Sequence, residues 1–286
     1  MRISIVIPVF NQVKFIEQCI LSILNQHYPD LELIVIDGGS TDGTLDILNK
    51  YRPSFHYFES GKDDGIYDAI QKGFEHSTGE IMAWLGSDDM YHYGAFSIVN
   101  EIFTKFSDVK WLLGATVAYD EIGRSVYVKE SSSVSIQDYI LKENKMIQQE
   151  SVFWRRELWN QSGATLLRGY KYAGDQALWA AFLQYEQLYT VNALLGGFRH
   201  RDGQTSKANW ALYVKETTGI RFKLYLSIKK SNKRIGMVFR TRKYLSYVPL
   251  LSKKSVKRIT DSIFNRKKET STSIEIDLET MVFSKK

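Results

Sequence analysis

Two adjacent carboxylates, Asp88 and Asp89, follow directly on a short apolar run, residues 81–85. A buried strand that ends in paired acids concentrates negative charge at a sheet edge, which is unfavourable unless a cation lies nearby. Oxygen-only ligands favour hard ions such as Mg²⁺ or Mn²⁺, which proteins hold with one or two carboxylates together with substrate phosphates. The pair therefore predicts a metal and phosphate site, and a turn of solvated acids is the alternative.

Two earlier segments have residue types that suit a nucleotide. Residues 8–11 (Pro-Val-Phe-Asn) close the first apolar run, because proline lacks the N–H that a continuing strand would need. Asp37 begins a glycine-rich stretch that extends to Thr44; its carboxylate can accept from a base N–H or a ribose hydroxyl, and the glycines allow a flat ligand to approach. The alternatives are a simple strand stop and a turn with helix-capping residues.

The elements that must position these residues alternate between strand and helix. Apolar runs at 3–10, 31–37, 56–59 and 81–85 predict strands, and amphipathic stretches at 14–25, 44–48 and 66–79 predict helices between them. This order indicates an α/β fold with a mostly parallel sheet flanked by helices. Ligands bind beyond the carboxyl ends of such strands, so Asp37, Asp88 and Asp89 are expected to share one crevice.

The second half of the chain is less regular. Residues 96–106 and 176–187 predict helices, and 111–119 and 126–130 predict strands joined by a turn. Cys19, the one cysteine, excludes an intramolecular disulfide and a multi-cysteine zinc site and fits packing on a helix. No apolar run approaches the roughly 18 residues of a membrane span, so we expect a cytoplasmic protein.

Four segments together resemble glycosyltransferase family 2, the inverting nucleotide-sugar transferases with the Rossmann-like GT-A fold. They are residues 3–11, 37–44, 63–69 (Asp-Asp-Gly-Ile-Tyr-Asp-Ala) and 86–89 (Gly-Ser-Asp-Asp). The third resembles a subgroup serving bacterial surface-polysaccharide synthesis, and the fourth resembles a DXD-type motif. Gly38 replaces an acid often found in the family, and Gln71 stands where an asparagine is common.

This resemblance implies roles for particular residues. Asp37 would contact the base, Asp88 the ribose, and Asp89 a Mg²⁺ or Mn²⁺ ion on the diphosphate of a nucleoside-diphosphate sugar. Further donor contacts are implied at Pro8, Val9, Phe10, Asn11, Asp63, Gly65 and Ser87. A metal bridging the phosphates would act as a Lewis acid and stabilise the negative charge of the leaving group. The sequence suggests few Lys or Arg residues near these motifs that could do so instead.

The acceptor hydroxyl must lose a proton, and the resemblance assigns that task to Asp175, within residues 172–179. The alternative for Asp175 is a helix N-cap. Residues 148–156 resemble a segment beside the acceptor entrance, with Gln in place of a family His. The loop 198–206 resembles one that closes over the donor, where His200 would complete the metal shell or contact a phosphate; a solvated histidine is the alternative.

The resemblance covers roughly residues 1–205. The predicted GT-A domain is 1–209, with a nucleotide-sugar half (1–110) and an acceptor half (111–209). A basic helical C-terminal arm (210–268) and a poorly ordered tail (269–286) are predicted to follow. The arm is strongly charged: residues 219–268 have sixteen Lys and Arg and one acid, net +15, so the rest of the chain carries −9 within an overall +6. Such an arm favours peripheral contact with the anionic inner face of the cell membrane. A solvated helical face is the alternative. Nucleic-acid binding is a third possibility, but no nucleic-acid motif accompanies the charge.

The predicted activity is transfer of a sugar, most commonly from a uridine donor in this family, to a glycan or lipid-linked glycan. A catalytically inactive nucleotide-sugar-binding or scaffold protein is the alternative. A sugar-nucleotide pyrophosphorylase would need a glycine- and arginine-rich loop after the first strand, which residues 8–12 lack. A dinucleotide oxidoreductase would need Gly-x-Gly-x-x-Gly there, and a processive synthase would need membrane spans.

Overall fold

A computed structural model of the protein describes residues 1–141, 147–163, 167–204, 209–228, 272–277 and 280–285, with short pieces between 237 and 260. The first half alternates strand and helix as the sequence predicts. Its elements are β1 (Ile3–Val9), α1 (Ile16–Leu24), β2 (Leu31–Asp37), α2 (Thr44–Tyr51), β3 (Tyr57–Ser60), α3 (Ile66–Glu75), β4 (Ile81–Trp84), β5 (Met90–Tyr91) and α4 (Ala95–Lys105).

The second half contributes shorter strands and further helices. They are β6 (Trp111–Leu113), β7 (Thr116–Tyr119), β8 (Ser125–Lys129), α5 (Ile136–Ile140), β9 (Val152–Arg155), α6 (Arg156–Ser162), α7 (Gly174–Tyr185), β10 (Tyr189–Val191), β11 (Gly196–Arg199), α8 (Trp210–Ile228), β12 (Ser273–Asp277) and β13 (Val282–Lys285).

A large, mostly parallel sheet forms the centre of the molecule. Within the described residues its strand order is β13-β12-β10-β6-β9-β4-β1-β2-β3, and β9 and β13 are the antiparallel members. β1 pairs in parallel with β2, where Val9 lies opposite Asp37, and with β4, where Val6 lies opposite Trp84. The carboxyl ends of these strands therefore meet at one edge. The predicted α/β fold is confirmed.

The predicted strand 111–119 is two strands in different sheets. β6 belongs to the large sheet, and β7 joins a small sheet of order β5-β11-β7-β8. The chain changes sheets at Gly114, where a Cβ atom would lie 2.7 Å from the Leu195 side chain and 2.9 Å from the Ala193 carbonyl oxygen. This close approach requires glycine, and the strand that follows, β7, pairs with β11.

A cluster of tryptophans packs beneath that edge. Trp84, at the end of β4, stacks on Trp179 of α7 with 5.8 Å between ring centroids, and both rings contact Trp154 of β9. Buried aromatic pairs add about 0.5–1.5 kcal/mol each beyond the apolar area that they bury. The cluster joins the strand that precedes Asp88 to the helix that carries Asp175, which restricts relative movement of the two.

The C-terminal part differs from the predicted boundaries. α8 is not separate from the first 209 residues, because its buried residues Ile220 and Leu224 belong to the main hydrophobic core. The predicted poorly ordered tail instead contains β12 and β13, and β12 extends the large sheet beside β10. Ile274 and Phe283 enter the core, which explains why the alternating pattern at 273–277 forms a strand.

The described part of the predicted basic arm is α8 and the short pieces up to residue 260; the rest of the arm lies outside the described residues. None of the helices in the described ranges is both long enough and apolar enough to cross a bilayer.

Candidate active site

The acid pair lies in a tight turn after β4 and faces the protein rather than bulk solvent. The Asp88 side chain is 18% exposed, and Asp89 is 3% exposed. The Asp89 N–H donates to the Gly86 carbonyl (2.9 Å), which closes the turn. A Cβ atom on Gly86 would lie 2.5 Å from a carboxylate oxygen of Asp89, so glycine leaves the space that this carboxylate occupies.

Two arginines of the late segment contact the pair. Arg201 Nε lies 2.7 Å from an Asp88 carboxylate oxygen, and the backbone N–H of Arg199 donates to Asp89 Oδ1 (2.7 Å). The buried Arg199 side chain also donates to the Asp88 carbonyl oxygen. The expectation of few cations near these motifs was therefore wrong. Sequence distance hid the contact, because β11 pairs with β5 directly beside the turn.

Burial and repulsion make this site electrostatically demanding. Burial raises the pKa of Asp89 well above its ordinary value, and the charges of Glu150 and then Asp88 raise it further, against the opposing contacts from Arg199. Burial likewise raises the pKa of Glu150 to about 7, with additional repulsion from Asp175 and Asp88 and partial relief from its own backbone and Gln148. Bound positive charge would relieve this repulsion.

Glu150 is a site residue that the sequence reading did not single out. Its charge interacts with those of Asp88, Asp89 and Asp175, and its sequence neighbours are held by hydrogen bonds. Gln149 donates to the Trp84 carbonyl oxygen (2.7 Å), and the Ser151 hydroxyl donates to the Gly196 carbonyl oxygen (2.6 Å). The signal available in the sequence was a lone acid within the segment 148–156, directly before an apolar strand.

Asp175 is the second residue of α7 and reaches the same acid cluster. Tyr67 Oη donates to one carboxylate oxygen (3.2 Å), and Gln176 Nε2 donates to the other (3.1 Å). Burial raises the pKa of Asp175, while the bonds from Gln176 and Tyr67 oppose that rise. The N-cap alternative does not hold, because Ala173 occupies the cap position and no side chain caps it.

The predicted nucleotide-base end is tightly hydrogen-bonded. Asp37 is fully buried and accepts from the backbone N–H groups of Gly39 (3.1 Å) and Ser40 (3.0 Å) and from the hydroxyls of Ser40 and Ser60. Its carboxylate thus holds the turn after β2 together, which is the structural role that the alternative interpretation of this stretch predicted. A direct base contact by Asp37 stays a prediction.

The residues after β1 are joined to that turn. Pro8 and Val9 are buried within β1, and Phe10 is exposed just beyond it. The Asn11 N–H donates to Ser40 Oγ (2.8 Å), and Asn11 Oδ1 accepts from the Thr41 N–H (2.9 Å). Segments 8–11 and 37–44 therefore form one surface, as a shared ligand site would require.

Asp63 and Gly65 lie on the opposite side of the same turn. Asp63 Oδ1 accepts from the Gly65 N–H (2.8 Å), and Gly65 has a positive φ of 106°. A Cβ atom on Gly38 would lie 2.9 Å from the Asp63 carboxylate. An acid at position 38 would therefore face the Asp63 carboxylate. Ser87 is buried in the turn of the acid pair.

His200 lies between Arg199 and Arg201 in sequence, but its ring contacts Phe198, 5.2 Å away between centroids. Its backbone N–H donates to the Tyr119 carbonyl oxygen (2.8 Å). The flanking Arg199 and Arg201 side chains both lie over the Phe15 ring, so the alternation of the strand directs His200 to the other side. A metal-ligand role for His200 stays a prediction, and residues 205–206 of its loop lie outside the described residues.

The fit to a divalent cation depends on the acid pair. In the described parts of the chain, no three or more His, Cys, Asp or Glu side chains form a group that could hold a metal. Asp88 and Asp89 still offer hard oxygen ligands, and the raised pKa of Asp89 reflects charge that a cation would offset. They fit an ion that is held jointly by the protein and by ligand phosphates.

Comparisons with known proteins agree with this fold and these motifs. Residues 4–122 match the family described as glycosyl transferase family 2. A "PGL/p-HBAD biosynthesis glycosyltransferase" of Mycobacterium bovis is 31% identical over 169 residues, which cover 58% of this chain and 63% of that protein. The "putative teichuronic acid biosynthesis glycosyltransferase TuaG" of Bacillus subtilis is 26% identical over 213 residues, covering 73% of this chain and 82% of TuaG.

Among solved structures, TarS 1–349 of S. aureus in complex with UDP-GlcNAc has a TM-score of 0.61 at 16% identity, covering 93% of this chain and 72% of the TarS chain. The match to glycosyltransferase family 2 covers residues 4–122, and the chain has the GT-A fold of these structural neighbours, as the resemblance predicted. The match spans 63% of the length of the mycobacterial relative.

Proposed function

We propose that this protein transfers a sugar, with inversion, from a nucleoside-diphosphate sugar to a hydroxyl of a glycan or lipid-linked glycan in surface-polysaccharide synthesis. One observation carries the proposal: the stacked rings of Trp84 and Trp179 join the end of β4, which leads to Asp88 and Asp89, to the helix that carries Asp175, and these acids surround the buried carboxylate of Glu150 closely enough to interact with its charge. Donor-binding and proton-accepting groups are thus gathered in one place, which sugar transfer requires.

UDP is the proposed donor nucleotide, because the structurally similar TarS is described in complex with UDP-GlcNAc. In our proposal the linked turns 8–11 and 37–44, with Asp63, Gly65 and Ser87, form the nucleoside end. Asp88 contacts the ribose, and Arg201 is near enough to exchange its ion pair with Asp88 for one with the diphosphate. A guanidinium suits this exchange, because it can bind two phosphate oxygens at once.

Asp89 would hold a Mg²⁺ or Mn²⁺ ion together with the diphosphate. Such an ion, when bound, supplies Lewis-acid stabilisation of the negative charge on the departing nucleoside diphosphate. The buried N–H of Arg199 orients the Asp89 carboxylate, and Glu150 adds negative charge behind it. The Arg199 contact fixes the position of the carboxylate, and a cation at the diphosphate would favour the ionised form of Asp89, which burial and Glu150 disfavour in the free protein.

Asp175 is the proposed general base. Its carboxylate accepts the proton of the acceptor hydroxyl while that oxygen forms a bond to the anomeric carbon and the bond from this carbon to the diphosphate breaks. Burial raises the pKa of Asp175, which makes it a better proton acceptor than a solvated aspartate. Attack from the face opposite the leaving group inverts the anomeric configuration.

Nucleotide binding gives the first test. We expect UDP with Mn²⁺ to raise the melting temperature of the protein more than UDP or Mn²⁺ alone, because only the native state binds them jointly. Differential scanning fluorimetry against UDP, GDP and TDP, each with and without Mn²⁺, ranks the donor bases. Equal melting curves under all conditions would contradict the proposal.

A catalytically inactive nucleotide-sugar-binding protein is the second candidate function. The ion pair between Arg201 and Asp88 favours it, because in the ligand-free protein this pair occupies the carboxylate proposed to bind ribose. Release of UDP from a UDP-sugar by the wild-type protein separates the two candidates. Binding with no release under any acceptor condition would favour the inactive protein.

We also propose peripheral attachment to the inner face of the cell membrane through residues 219–268. In the described part of this region, α8 exposes Phe222 and Leu226 beside Lys223. Apolar side chains flanked by lysines suit an anionic lipid interface, where each cation contributes about 1 kcal/mol.

The double variant Phe222→Ser, Leu226→Ser should therefore co-sediment less with vesicles containing phosphatidylglycerol. Ile122→Ser, at an exposed apolar residue of the β7–β8 turn, is the matched control and should leave sedimentation unchanged. Unaltered sedimentation of the double variant would contradict membrane contact through α8.

A further inference from the structure

The ring of Tyr67 lies directly over the start of α7. Tyr67 belongs to the 63–69 segment, for which the sequence suggested donor roles at Asp63 and Gly65 only. A Cβ atom on Gly174 would lie 2.6 Å from two carbon atoms of the Tyr67 ring, so residue 174 must be glycine for the ring to occupy this place. The packing sets Tyr67 against the peptide that immediately precedes Asp175.

The Tyr67 hydroxyl lies equally close to two acceptors, one of which is Asp175. Its oxygen lies 3.2 Å from Asp175 Oδ1 and 3.2 Å from the carbonyl oxygen of Tyr172. Burial, and then the negative charge of Asp175, raises the pKa of Tyr67 well above its ordinary value, so the phenol stays protonated and acts as a donor. A buried donor to a carboxylate restricts the rotation of that carboxylate as well as stabilising its charge.

Glu216 of α8 holds the chain segment just before Asp175. Its carboxylate accepts from three successive backbone N–H groups, those of Lys171 (3.2 Å), Tyr172 (2.9 Å) and Ala173 (2.8 Å). These groups lead directly into α7, which has no side-chain cap of its own. Glu216 thus satisfies donors at a helix start from a distant part of the chain, and its negative charge is favourable there.

We propose that Tyr67 and Glu216 are positioning residues that hold the Asp175 carboxylate in place for proton transfer. The inference rests on the proposed function, since it takes Asp175 as the base. It gives the 63–69 segment a second role besides donor binding. It also makes α8, which the sequence assigned to a separate basic arm, a part of the active site.

Tyr67→Phe tests the hydroxyl, because the ring that packs on Gly174 is retained. We expect kcat for release of UDP from UDP-GlcNAc, with water as acceptor, to fall about tenfold, while the KM for the donor stays unchanged. Loss of the donor raises the pKa of Asp175, so the acidic limb of the pH–kcat profile should move to higher pH. A merely structural defect would not move that limb.

Tyr51→Phe is the matched control. The Tyr51 hydroxyl also donates to a carboxylate, that of Glu17 (2.7 Å), but this pair joins α1 to α2 and does not touch Asp175. We expect the control to keep the wild-type kcat and pH profile. Circular dichroism melts of both variants show whether the fold is retained.

Glu216 provides an independent test on a separate element. Glu216→Ala should lower kcat, and Glu216→Gln should restore part of it, because the amide oxygen still accepts from one or two of the three N–H groups. Should Tyr67→Phe not fold, this pair of variants decides the question. Equal kcat in wild type, Glu216→Ala and Glu216→Gln would overturn the role of Glu216.

The proposed function and the positioning inference fail in different ways. Normal UDP release by an Asp175→Asn variant would show that Asp175 is not the base, and it would overturn the positioning inference as well. An inactive Asp175→Asn variant, together with a Tyr67→Phe variant that matches the wild type in kcat and pH profile, would overturn the positioning role of Tyr67 alone. The inference predicts a loss in both variants and a shifted acidic limb in Tyr67→Phe.

Discussion

Asp175→Asn should abolish sugar transfer while leaving donor binding intact. Asparagine keeps the shape of the side chain and can still accept from Tyr67, but its amide cannot take the proton of an acceptor hydroxyl. Removal of a general base lowers kcat by about 10²–10⁴-fold. The measurement is UDP release under single-turnover conditions, with calorimetric titration of UDP and Mn²⁺ on the same preparation.

The matched control for that variant is Asp46→Asn, which changes an exposed aspartate of α2 outside the acid cluster. It should match the wild type in both assays. Turnover of Asp175→Asn within about threefold of the wild type would remove Asp175 from the mechanism, because a reduction of that size is far below the effect of losing a base.

Asp89→Asn should abolish both transfer and the metal-dependent part of nucleotide binding. The neutral side chain can still accept from the Arg199 N–H, so the turn after β4 keeps its structure. The variant lacks the charge that a divalent ion would neutralise. We expect UDP affinity in the presence of Mn²⁺ to fall to the value measured without the metal, by calorimetry.

The same variant should be more stable than the wild type without ligand. Burial, Glu150 and Asp88 all disfavour the ionised form of Asp89, so a neutral residue relieves repulsion and raises the melting temperature. A higher melting temperature would show that the inactive Asp89→Asn variant is folded, because a misfolded protein would melt at a lower temperature. Unchanged UDP affinity in Mn²⁺ buffer would contradict the metal role of Asp89.

The acid cluster also gives the free protein a pH dependence with a definite sign. The pKa of Glu150 is about 7 in the folded state, above the ordinary glutamate value of 4.5. The folded state therefore binds this proton more tightly than the unfolded state does. The resulting stability is fully present below pH 4.5 and is lost as the pH rises through about 7.

The sequence predicted the parts of the site that follow from local pattern. Asp37 and Asp88 stand at the ends of apolar runs, and parallel pairing of β1 with β2 and β4 brings those ends to one edge. The parallel α/β order followed from the alternation of runs and amphipathic stretches. The hydrophobic periodicity of the sequence was sufficient to predict this alternation of strands and helices.

The remaining site residues depend on contacts between distant parts of the chain. Arg201 meets Asp88 only because β11 pairs beside β5, and Glu216 reaches the start of α7 only because α8 packs on it. Local composition does not encode such contacts. The strands at 273–277 and 282–285 were missed because the charged region before them suggested a disordered tail.

We propose that Arg199 and Arg201 stabilise Asp88 and Asp89 in the free protein, and that a divalent cation and diphosphate oxygens neutralise the pair in the donor complex. Crystals grown with UDP and Mn²⁺, with diffraction data collected at the manganese absorption edge, test it most directly. We expect an anomalous peak that marks manganese within coordination distance of both an Asp89 carboxylate oxygen and the diphosphate, with Asp88 facing the ribose. A UDP molecule bound elsewhere, or manganese remote from Asp89, would contradict it.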